Sequence, residues 1–573
     1  MAATSFPKTQ SNYTHSSSSK HAEFATSNHQ SNPHKWYSDQ TGVYSSKHPP
    51  VSLPQDTFLD VVSHVFSHKH NGKTALIDAA SGFSISYPEL QRLVKSMASG
   101  LHQMGVSKGD VVLILLPNSV YYPVILLGVL YLGAVVTTMN PFSSFSEVKK
   151  QTLGTHVTMA FTLVDKVDEL KSLGIQTVVV PENVPFDATH VRFKRFYKLI
   201  SGDHGLVPRR TVRQDDTAVI LYSSGTTGAS KGVVLSHRNL ISGVELFVRF
   251  EDSCYPLVPE ENVYLAVIPM FHIYGLTLFN LGILSLGTKI VVMKRFIPDE
   301  MVRSIDRYGV THFPGVPPLL TALTKAAKGA LGRSLKSLKQ VSCGAAPLST
   351  RTIEEFMTYF PQVDFIQGYG LSESTAVGTR GFNTRDLQNY TSAGLLAPNT
   401  QARVVDFVTG LYLPPGKTGE LWLSGPAIMK EYLNDVEATS STIDKDGWLH
   451  TGDIVYFDQD GYLHIVGRVK EIIKYNGFQI APADLEDVLA THPAILDAAV
   501  TGVRDDEAGE VPVAFVVLKP GAEASESSII DFVAKQVAPY KKVRRVIFVK
   551  MIPRSAAGKI LRRELKEPTY SRL

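Results

Sequence analysis

Helix-like and strand-like patterns alternate along most of this 573-residue chain. "YPELQRLVKSMASGLHQMGV" has the period of an amphipathic helix that ends at Gly105, and "DVVLILLP" follows it as a short apolar strand. Comparable strands recur as "KTALID", "VTMAFTL", "QTVVVP", "TAVILYSS" and "TKIVVM". Short apolar strands between helices are typical of layered α/β sheets, which bind ligands at the carboxyl ends of their strands. The pattern therefore predicts an α/β protein.

The character of the sequence changes near residue 400. "QARVVDFVTGLYLPPGKTGELWLSG" and "GYLHIVGR" indicate β-hairpins or a small barrel, with turns at Pro-Pro-Gly and at Asp460-Gly461. A βαβ-like tail follows Arg468 and is long enough to fold as a small domain. We therefore predict a large domain at 51–468, which combines layered α/β sheets with a small β-barrel-like part, and a small α+β domain at 469–573.

The two ends differ from the body of the chain. Residues 1–50 are rich in Ser, His and Asn, which predicts a disordered extension rather than a targeting segment. At the other end, Ser571-Arg572-Leu573 resembles the SKL-type tripeptide that the peroxisomal import receptor reads. The sequence thus predicts a peroxisomal location, with that receptor as a partner.

Composition and charge exclude several classes of function. The net charge of +4 is too small to indicate a nucleic-acid partner, and two cysteines without a secretory signal indicate an intracellular protein. Residues 120–139 carry no charge and would be long enough to span a bilayer. Gly133 marks a helix end, however, and the β-branched residues after it indicate a strand. A buried helix followed by a buried strand is the better interpretation, so no membrane span is expected.

The segment "LYSSGTTGASKG", residues 221–232, has the small donors of a phosphate-binding loop after a strand. It is not a Walker loop, because Ser230 stands where the second glycine belongs and Gly232 follows Lys231. A dinucleotide fingerprint also fails, since Gly368-Tyr369-Gly370 runs on to Glu373. Taken alone, the loop fits a nucleotide site and an ordinary Gly/Ser-rich connector equally well.

Five further motifs accompany this loop in a fixed order. "PMFHIYGL", "CGAAPL", "QGYGLSES", "HTGDIVYFDQDGYLHIVGRVKEIIKYNGFQIAP" and "PRSAAGKILRREL" follow "SSGTTGASKG" with wide spacing. Together they closely resemble the adenylate-forming superfamily of acyl-CoA synthetases, luciferases and peptide-synthetase adenylation domains. Residues 452–482 look most like plant 4-coumarate–CoA ligases and their peroxisomal relatives. The resemblance implies ATP, Mg²⁺ and coenzyme A as cosubstrates and cofactors, and a reaction in which a carboxylate forms acyl-AMP and then acyl-CoA.

The resemblance also assigns roles at the nucleotide. Lys559 is the expected catalytic lysine between the carboxylate and the α-phosphate, Glu373 is the expected Mg²⁺ ligand, and Asp453 is the expected partner of both ribose hydroxyls with help from Arg468. The β- and γ-phosphates are expected to contact Ser223, Ser224, Gly225, Thr226, Thr227 and Lys231. The adenine and the α-phosphate are expected to contact Gln367, Gly368, Tyr369, Gly370 and Ser372.

For the second half-reaction the resemblance implies a mobile small domain with its hinge at Lys470. Lys474 and Gln479 are the catalytic residues expected for that step, and coenzyme A is expected at Arg295, Asn476 and Gly477. Hydroxycinnamate ligases commonly carry Lys where this chain has Asn476, which puts the affinity for coenzyme A in doubt.

The acyl side follows from the same resemblance. His272 is expected to position the carboxylate, and the acyl pocket is expected at Tyr274, Leu278, Gly344, Ala345, Ala346 and Gly368. Leu278 stands where 4-hydroxycinnamate ligases have a small polar residue, and an apolar wall favours a plain ring or an alkyl chain. Arg380, near the far end, is expected to face solvent or to meet a polar tail. A cinnamate-type acid or a medium- to long-chain acid, including a cyclopentanone fatty acid, is the expected substrate.

Two other classes of function stay open at this point. A luciferase-like enzyme would adenylate the acid and then use oxygen instead of a thiol. A non-catalytic relative would serve as a binding protein, but it should have lost Lys559, Glu373, Asp453 or Arg468, and all four are present.

Overall fold

The computed structural model describes residues 36–68, 70, 73–202, 211–223, 230–254, 262–329, 335–346, 348, 350–384, 387–476, 478–505, 507–555 and 558–565. Within these ranges the strands form four sheets, with helices packed against them. No helix in the described ranges is both long enough and apolar enough to cross a bilayer.

Two sheets form the layered α/β body and share one large apolar core. Parallel pairing dominates their centres, as expected for strands that alternate with helices. The first sheet contains, in spatial order, Glu431–Tyr432, Lys231–Ser236, Thr217–Ser223, Val135–Thr138, Val111–Leu115, Val157–Thr162 and Gln176–Val179. The second contains Leu395–Leu396, Thr379–Asn383, Asp364–Tyr369, Gln340–Cys343, His312–Gly315, Val263–Ala266, Lys289–Val292, Thr74–Asp78 and Ser84–Ser86.

A third sheet is antiparallel and includes the hairpins expected after residue 400. Its strands are Tyr37–Ser38, Val43–Ser45, Gln401–Val405, Gly419–Ser424, Leu449–Phe457 and Leu463–Arg468. The prediction of disorder for residues 1–50 was therefore wrong for 36–50, whereas 1–35 lie outside the described residues. The polar composition of that segment did not indicate that its aromatic residues pack against the third sheet. Fully buried Tyr44 stacks on Phe457 with ring centroids 4.5 Å apart.

The fourth sheet belongs to the C-terminal part and has its own apolar core, which includes Ile473, Leu485 and Val533. Parallel pairing of Gly509–Leu518 with Arg545–Phe548 across the helix Glu526–Ala534 gives the expected βαβ unit. The strands in spatial order are Phe478–Ile480, Ile473–Tyr475, Gly509–Leu518 and Ile495–Asp505. The strand Arg545–Phe548 also pairs with Gly509–Leu518, outside this order. A large N-terminal part of several sheets and a smaller C-terminal domain are thus confirmed.

The helices follow the sequence pattern closely. Residues 120–139 form a buried helix, Tyr122–Tyr131, and a buried strand, Val135–Thr138, and Gly133 between them has a φ of +80°. The α-helices are Val61–Phe66, Tyr87–Gln103, Tyr122–Tyr131, Phe145–Thr155, Val167–Ser172, Lys194–Ser201, His237–Gly243, Phe250–Ser253, Ile273–Gly275, Ile283–Ser285, Pro298–Tyr308, Pro317–Lys328, Thr350–Tyr359, Val436–Thr442, Pro482–Ala490, Glu526–Ala534 and Arg562–Leu565. Short 3₁₀ turns lie at Val164–Lys166, Ser372–Ser374, Val469–Glu471 and Pro539–Lys541, and π-helical segments at Val244–Arg249 and Leu276–Gly282.

Candidate active site

The end of the first sheet brings the phosphate-loop residues to the expected metal ligand. Ser223 and Lys231 are paired across the antiparallel strands that flank the loop. The Ser223 hydroxyl donates to Glu373 Oε1 at 3.0 Å, and the Tyr432 hydroxyl donates to the same oxygen at 2.9 Å. The Lys231 ammonium lies 4.8 Å from the centroid of the Tyr432 ring. A cation, two hydroxyls and a carboxylate therefore meet at one place.

This donor set fits a magnesium nucleotide. Hard cations in nucleotide sites take one or two carboxylates and complete their shell with phosphate oxygens and water. Glu373 supplies such a carboxylate, and the adjacent Lys231 supplies a charge for the phosphates. The described residues hold no cluster of three or more His, Cys, Asp or Glu side chains with metal-ligand spacing. Most ligands of a Mg²⁺ ion here would therefore come from the nucleotide and water.

A second cluster lies where the third sheet ends. Asp453 and Arg468 are cross-strand partners, and Arg468 Nε lies 2.8 Å from Asp453 Oδ1. The Tyr369 hydroxyl donates to Asp453 Oδ2 at 2.6 Å. Asp453 is almost fully buried; burial raises its pKa, whereas Arg468 and the Tyr369 hydroxyl act to lower it. An ionised carboxylate has acceptor sites beyond these two contacts, so Asp453 can still accept from a diol.

Lys559 approaches this second cluster from the C-terminal domain. Its amide donates to Ser555 Oγ at 3.2 Å and its carbonyl accepts from the Ser555 amide at 2.8 Å, which fixes the turn. Gly558 (φ +79°) lets that turn pass close to Pro318 of the large domain, 3.1 Å from where a Cβ would lie. Burial lowers the pKa of Lys559, and Arg468 lowers it further. A desolvated lysine beside Asp453 and Arg468 suits an anion that gains charge during reaction.

A cavity adjoins this cluster at the carboxyl ends of two parallel strands, Gln340–Cys343 and Asp364–Tyr369. Its wall contains predicted nucleotide and acyl residues side by side, which are His272, Tyr274, Gly344, Ala345, Gln367, Gly368, Tyr369 and Gly370. Glycine is required at Gly370, because a Cβ there would lie 2.5 Å from the Ala376 carbonyl oxygen. The strand ends therefore form the floor of a single cavity, as the fold class predicts.

His272 is held in one defined state. It begins the short helix Ile273–Gly275, and its Nδ1 accepts the Tyr274 amide at 3.3 Å. Burial lowers the pKa of His272 to about 4, so the ring is neutral near pH 7. A neutral ring that accepts at Nδ1 carries its proton on Nε2. His272 can therefore donate a hydrogen bond to a carboxylate but does not supply a positive charge.

The wall of the cavity is more polar than expected. Arg380 does not face solvent; it is 6% exposed, and its Nε lies 3.4 Å from Glu251 Oε2. The solvent-facing alternative for Arg380 was wrong, because Arg380 pairs with Gly368 across the sheet, where the missing side chain leaves room for the guanidinium. A contact with a polar tail stays a prediction. Tyr274 and Ser342, with oxygens 3.3 Å apart, add two hydroxyl groups to the same wall.

Leu278 also lies elsewhere than predicted. Every residue of the π-helical segment Leu276–Gly282 is buried, and Leu278 packs in the main apolar core. It is not part of the cavity wall formed by the described residues. Leu278 therefore gives this cavity no apolar wall among the described residues.

Several predicted residues do not meet at this site. Arg295, Lys474 and Asn476 are exposed, and Lys470 is an exposed residue of the turn Val469–Glu471. Lys474 is the cross-strand partner of Gln479 in the fourth sheet. Ser372 begins the 3₁₀ turn that carries Glu373, and Ala346 is half-buried next to the cavity. The residues that lie outside the described ranges are Ser224, Gly225, Thr226, Thr227, Gly477 and Ser571-Arg572-Leu573.

Four side chains of the candidate site were not predicted from the sequence. Tyr432 binds Glu373, and Glu251, Phe247 and Ser342 line the cavity. None of them lies in one of the six motifs, so no local signal marks them. The i, i+4 spacing of Phe247 and Glu251 would by itself indicate only that the two residues share a face if this segment is helical.

Comparison with known proteins agrees with this geometry. The family model for AMP-binding enzymes matches residues 64–433, and that for the AMP-binding enzyme C-terminal domain matches 484–559. The chain is 58% identical to 4-coumarate–CoA ligase-like 6 of Arabidopsis thaliana, over 93% of this chain and 95% of that protein. It is 43% identical to peroxisomal OPC-8:0-CoA ligase 1 of the same plant, over 93% and 97% of the two chains.

A solved structure shows the same fold. ATP-bound MatB from Rhodopseudomonas palustris superposes with a TM-score of 0.79 at 27% identity, covering 89% of this chain and 99% of that one. The first matched region contains Ser223, His272 and Glu373, and the second contains the turn that carries Lys559. The chain therefore belongs to the AMP-binding, adenylate-forming enzymes, as an acyl-CoA ligase of the 4-coumarate–CoA ligase-like group.

Proposed function

We propose that this enzyme joins a carboxylic acid to coenzyme A in two steps at the cavity described above. In the first step the substrate carboxylate attacks the α-phosphorus of ATP, and the bond to pyrophosphate breaks. In the second step the coenzyme A thiolate attacks the acyl carbon, and the bond to AMP breaks. The observation that carries the proposal is the approach of Lys559 to Asp453 and Arg468 beside a cavity that also contains His272.

Each site residue has a separate proposed role in the first step. Asp453 accepts hydrogen bonds from the ribose, while Ser223 and Lys231, with the loop between them, hold the β- and γ-phosphates. Glu373 would hold Mg²⁺, which when bound neutralises phosphate charge. His272 Nε2–H donates to the incoming carboxylate, and Lys559 stabilises the charge that develops between carboxylate and α-phosphate.

The second step is proposed to use another face of the C-terminal domain. Lys474 and Asn476 are exposed while Lys559 faces the site, so the two sets are not presented together. A rotation near Lys470 between a domain at 51–468 and one at 469–573 would exchange them and bring Gln479 and Gly477 towards acyl-AMP. Arg295 would then contact the coenzyme.

The substrate is proposed to be a cinnamate- or hydroxycinnamate-type acid, or a medium- to long-chain acid of the jasmonate-precursor kind. Small residues along the cavity, including Gly344 and Ala345, leave room for an elongated acid. The 43%-identical relative named for OPC-8:0 supports the chain-like alternative, and the 58%-identical ligase-like relative leaves the ring acids open.

The test measures pyrophosphate release over a panel of acids, with and without coenzyme A, and identifies the products. We expect acid-dependent pyrophosphate release and an acyl-CoA product that requires coenzyme A. An oxidised product formed without coenzyme A would instead support a luciferase-like enzyme. Failure of every acid to release pyrophosphate would favour a non-catalytic binding protein.

The peroxisome is the proposed location. Ser571-Arg572-Leu573 is a variant of the SKL-type signal, and one relative at 43% identity is named as peroxisomal. A fluorescent protein fused to the N-terminus of the whole chain should show peroxisomal import. Removal of the tripeptide should leave the fusion in the cytosol, and unchanged import would overturn its role as the signal.

A further inference from the structure

The wall of the cavity contains a buried ion pair. Glu251 and Arg380 both line the cavity, with side chains 14% and 7% exposed. Glu251 also accepts a hydrogen bond from Gln340 at 2.8 Å. The Arg380 guanidinium lies over the Phe247 ring, 3.7 Å from its centroid. The pair is therefore fixed in place from both sides.

The protein itself does not satisfy every hydrogen-bond donor of the Arg380 guanidinium. Arg380 donates from Nη1 to the Thr379 carbonyl at 2.8 Å and from Nη2 to the Ala376 carbonyl at 3.4 Å. Its buried Nε makes no hydrogen bond within the described part of the chain. An unmade hydrogen bond at a buried charged group is costly, and a buried ion pair is often no more stabilising than apolar residues of equal size. Stability alone therefore does not explain the pair.

We propose, on the basis of the acyl-CoA ligase function above, that Glu251 and Arg380 select acids with an uncharged oxygen at the end remote from the reacting carboxylate. A hydroxyl there accepts from Arg380 and donates to the Glu251 carboxylate. A carbonyl oxygen accepts from Arg380 alone. The substrate class is thus an acid with a ring or chain that ends in, or carries near its far end, a hydroxyl or a ketone.

Charge decides between a neutral and an anionic tail. The Glu251–Arg380 pair has no net charge, so a second carboxylate on the substrate would leave one buried negative charge without a partner. A plain hydrocarbon tail would cover the pair and leave Arg380 Nε with only its 3.4 Å contact to Glu251, which is not a hydrogen bond. A neutral oxygen avoids both penalties, and a site built for such a hydrogen bond rejects the analogue that lacks it.

The experiment compares matched acids on the whole enzyme. One pair is cinnamate and 4-hydroxycinnamate, and the other is a saturated fatty acid and the same acid with a ketone or hydroxyl in its distal half. In at least one pair we expect the oxygenated acid to have a kcat/KM at least about tenfold higher, which corresponds to about 1.4 kcal/mol. In the double variant Glu251→Met/Arg380→Met, which leaves no lone charge, that ratio should fall below about twofold.

The control is Arg403→Met, because Arg403 also lies over aromatic rings, 4.3 Å from those of Tyr412 and Trp448, but outside the cavity. In Arg403→Met the kcat/KM ratio of the oxygenated to the plain acid should equal that of the wild type. Thermal melting with and without AMP shows whether each variant is folded. If the double variant does not fold, Glu251→Gln replaces it, and the preference for the hydroxyl should fall more than that for the ketone.

Three results would overturn the inference. The first is a wild-type kcat/KM ratio of oxygenated to plain acid near unity in both pairs. The second is a tenfold ratio that persists in the folded double variant, or in Glu251→Gln where the double variant is unfolded. The third is a preference for a dicarboxylic acid. These results are distinct from a failure of the proposed function, in which no acid of either kind would release pyrophosphate from the wild type.

Discussion

Replacement of Lys559 by Ala should separate the two half-reactions. Within the described residues the Lys559 ammonium makes no hydrogen bond or ion pair. Burial lowers its pKa most, Arg468 lowers it further, and Glu471 and Asp453 act to raise it, so attraction and repulsion oppose each other. Its removal should therefore change the free energy of unfolding by less than about 1 kcal/mol. By contrast, loss of one preorganised donor to a developing anion costs a factor of about 10² to 10³ in rate.

The assay follows pyrophosphate release for the first step and acyl-CoA formation from supplied acyl-AMP for the second. Lys559→Ala should lose that factor of about 10² to 10³ in the first assay and change little in the second. Lys474→Ala, an exposed lysine on the fourth sheet, is the matched control. It should leave pyrophosphate release within about twofold and slow the second step by about tenfold or more, as for loss of a charged hydrogen bond.

The pH dependence of the first step provides an independent check. The pKa of Lys559 is lowered, so its charged form is lost at a lower pH than for an ordinary lysine, and adenylation should fall as pH rises through that pKa. Lys559→Arg keeps its charge at high pH and should remove this decline. Equal losses in both half-reactions for Lys559→Ala, or unchanged pyrophosphate release, would refute the role of Lys559.

Three other substitutions test the rest of the site. Asp453→Asn leaves Arg468 without its carboxylate, so the free energy of unfolding in urea should fall by about 3 kcal/mol. AMP should bind this variant at least about tenfold more weakly by calorimetry, and an unchanged Kd would contradict the ribose role. Gly368→Ala places a methyl group 2.4 Å from Arg380 Nη1, so it should cost about 1 to 3 kcal/mol and lower the preference for oxygenated acids; an unaltered preference would contradict the packing argument. Since the pKa of His272 is about 4 in the folded chain and about 6.5 when unfolded, up to about 3 kcal/mol of stability should be lost as pH falls through that interval. His272→Gln should reduce that acid slope, and an identical slope would show that His272 is not buried in neutral form.

Local patterns were sufficient for much of the fold. The helix and strand on either side of Gly133 follow from composition and β-branching alone. The six motifs assigned Ser223 and Glu373 to one predicted nucleotide site, and their side chains are in contact although 150 positions separate them. In each case the residues that carry the prediction lie within a few positions of one another, or within a motif of known arrangement.

Contacts between distant residues outside the motifs could not be predicted in this way. Glu251 lies on a helix and Arg380 on a strand, and only the packed fold shows that Gly368 makes room for the guanidinium. Burial excluded the solvent-facing alternative for Arg380, although an isolated arginine in a sequence is usually exposed. Tyr44 was missed for a related reason, since its partner Phe457 belongs to a strand far along the chain.

The site consists of two electrostatic environments joined by Tyr369. Its hydroxyl donates to Asp453, whereas its ring forms part of the cavity wall. On the nucleotide side, Lys559 lies near Arg468 and Asp453, and its proposed role is to stabilise an anion that gains charge during the reaction, where a preorganised cation contributes directly to the rate. On the acyl side, the charges of Glu251 and Arg380 cancel, and no charge develops at the far end of the acid. That pair can therefore affect which acid binds, while the rate of activation depends on the cations around the phosphates.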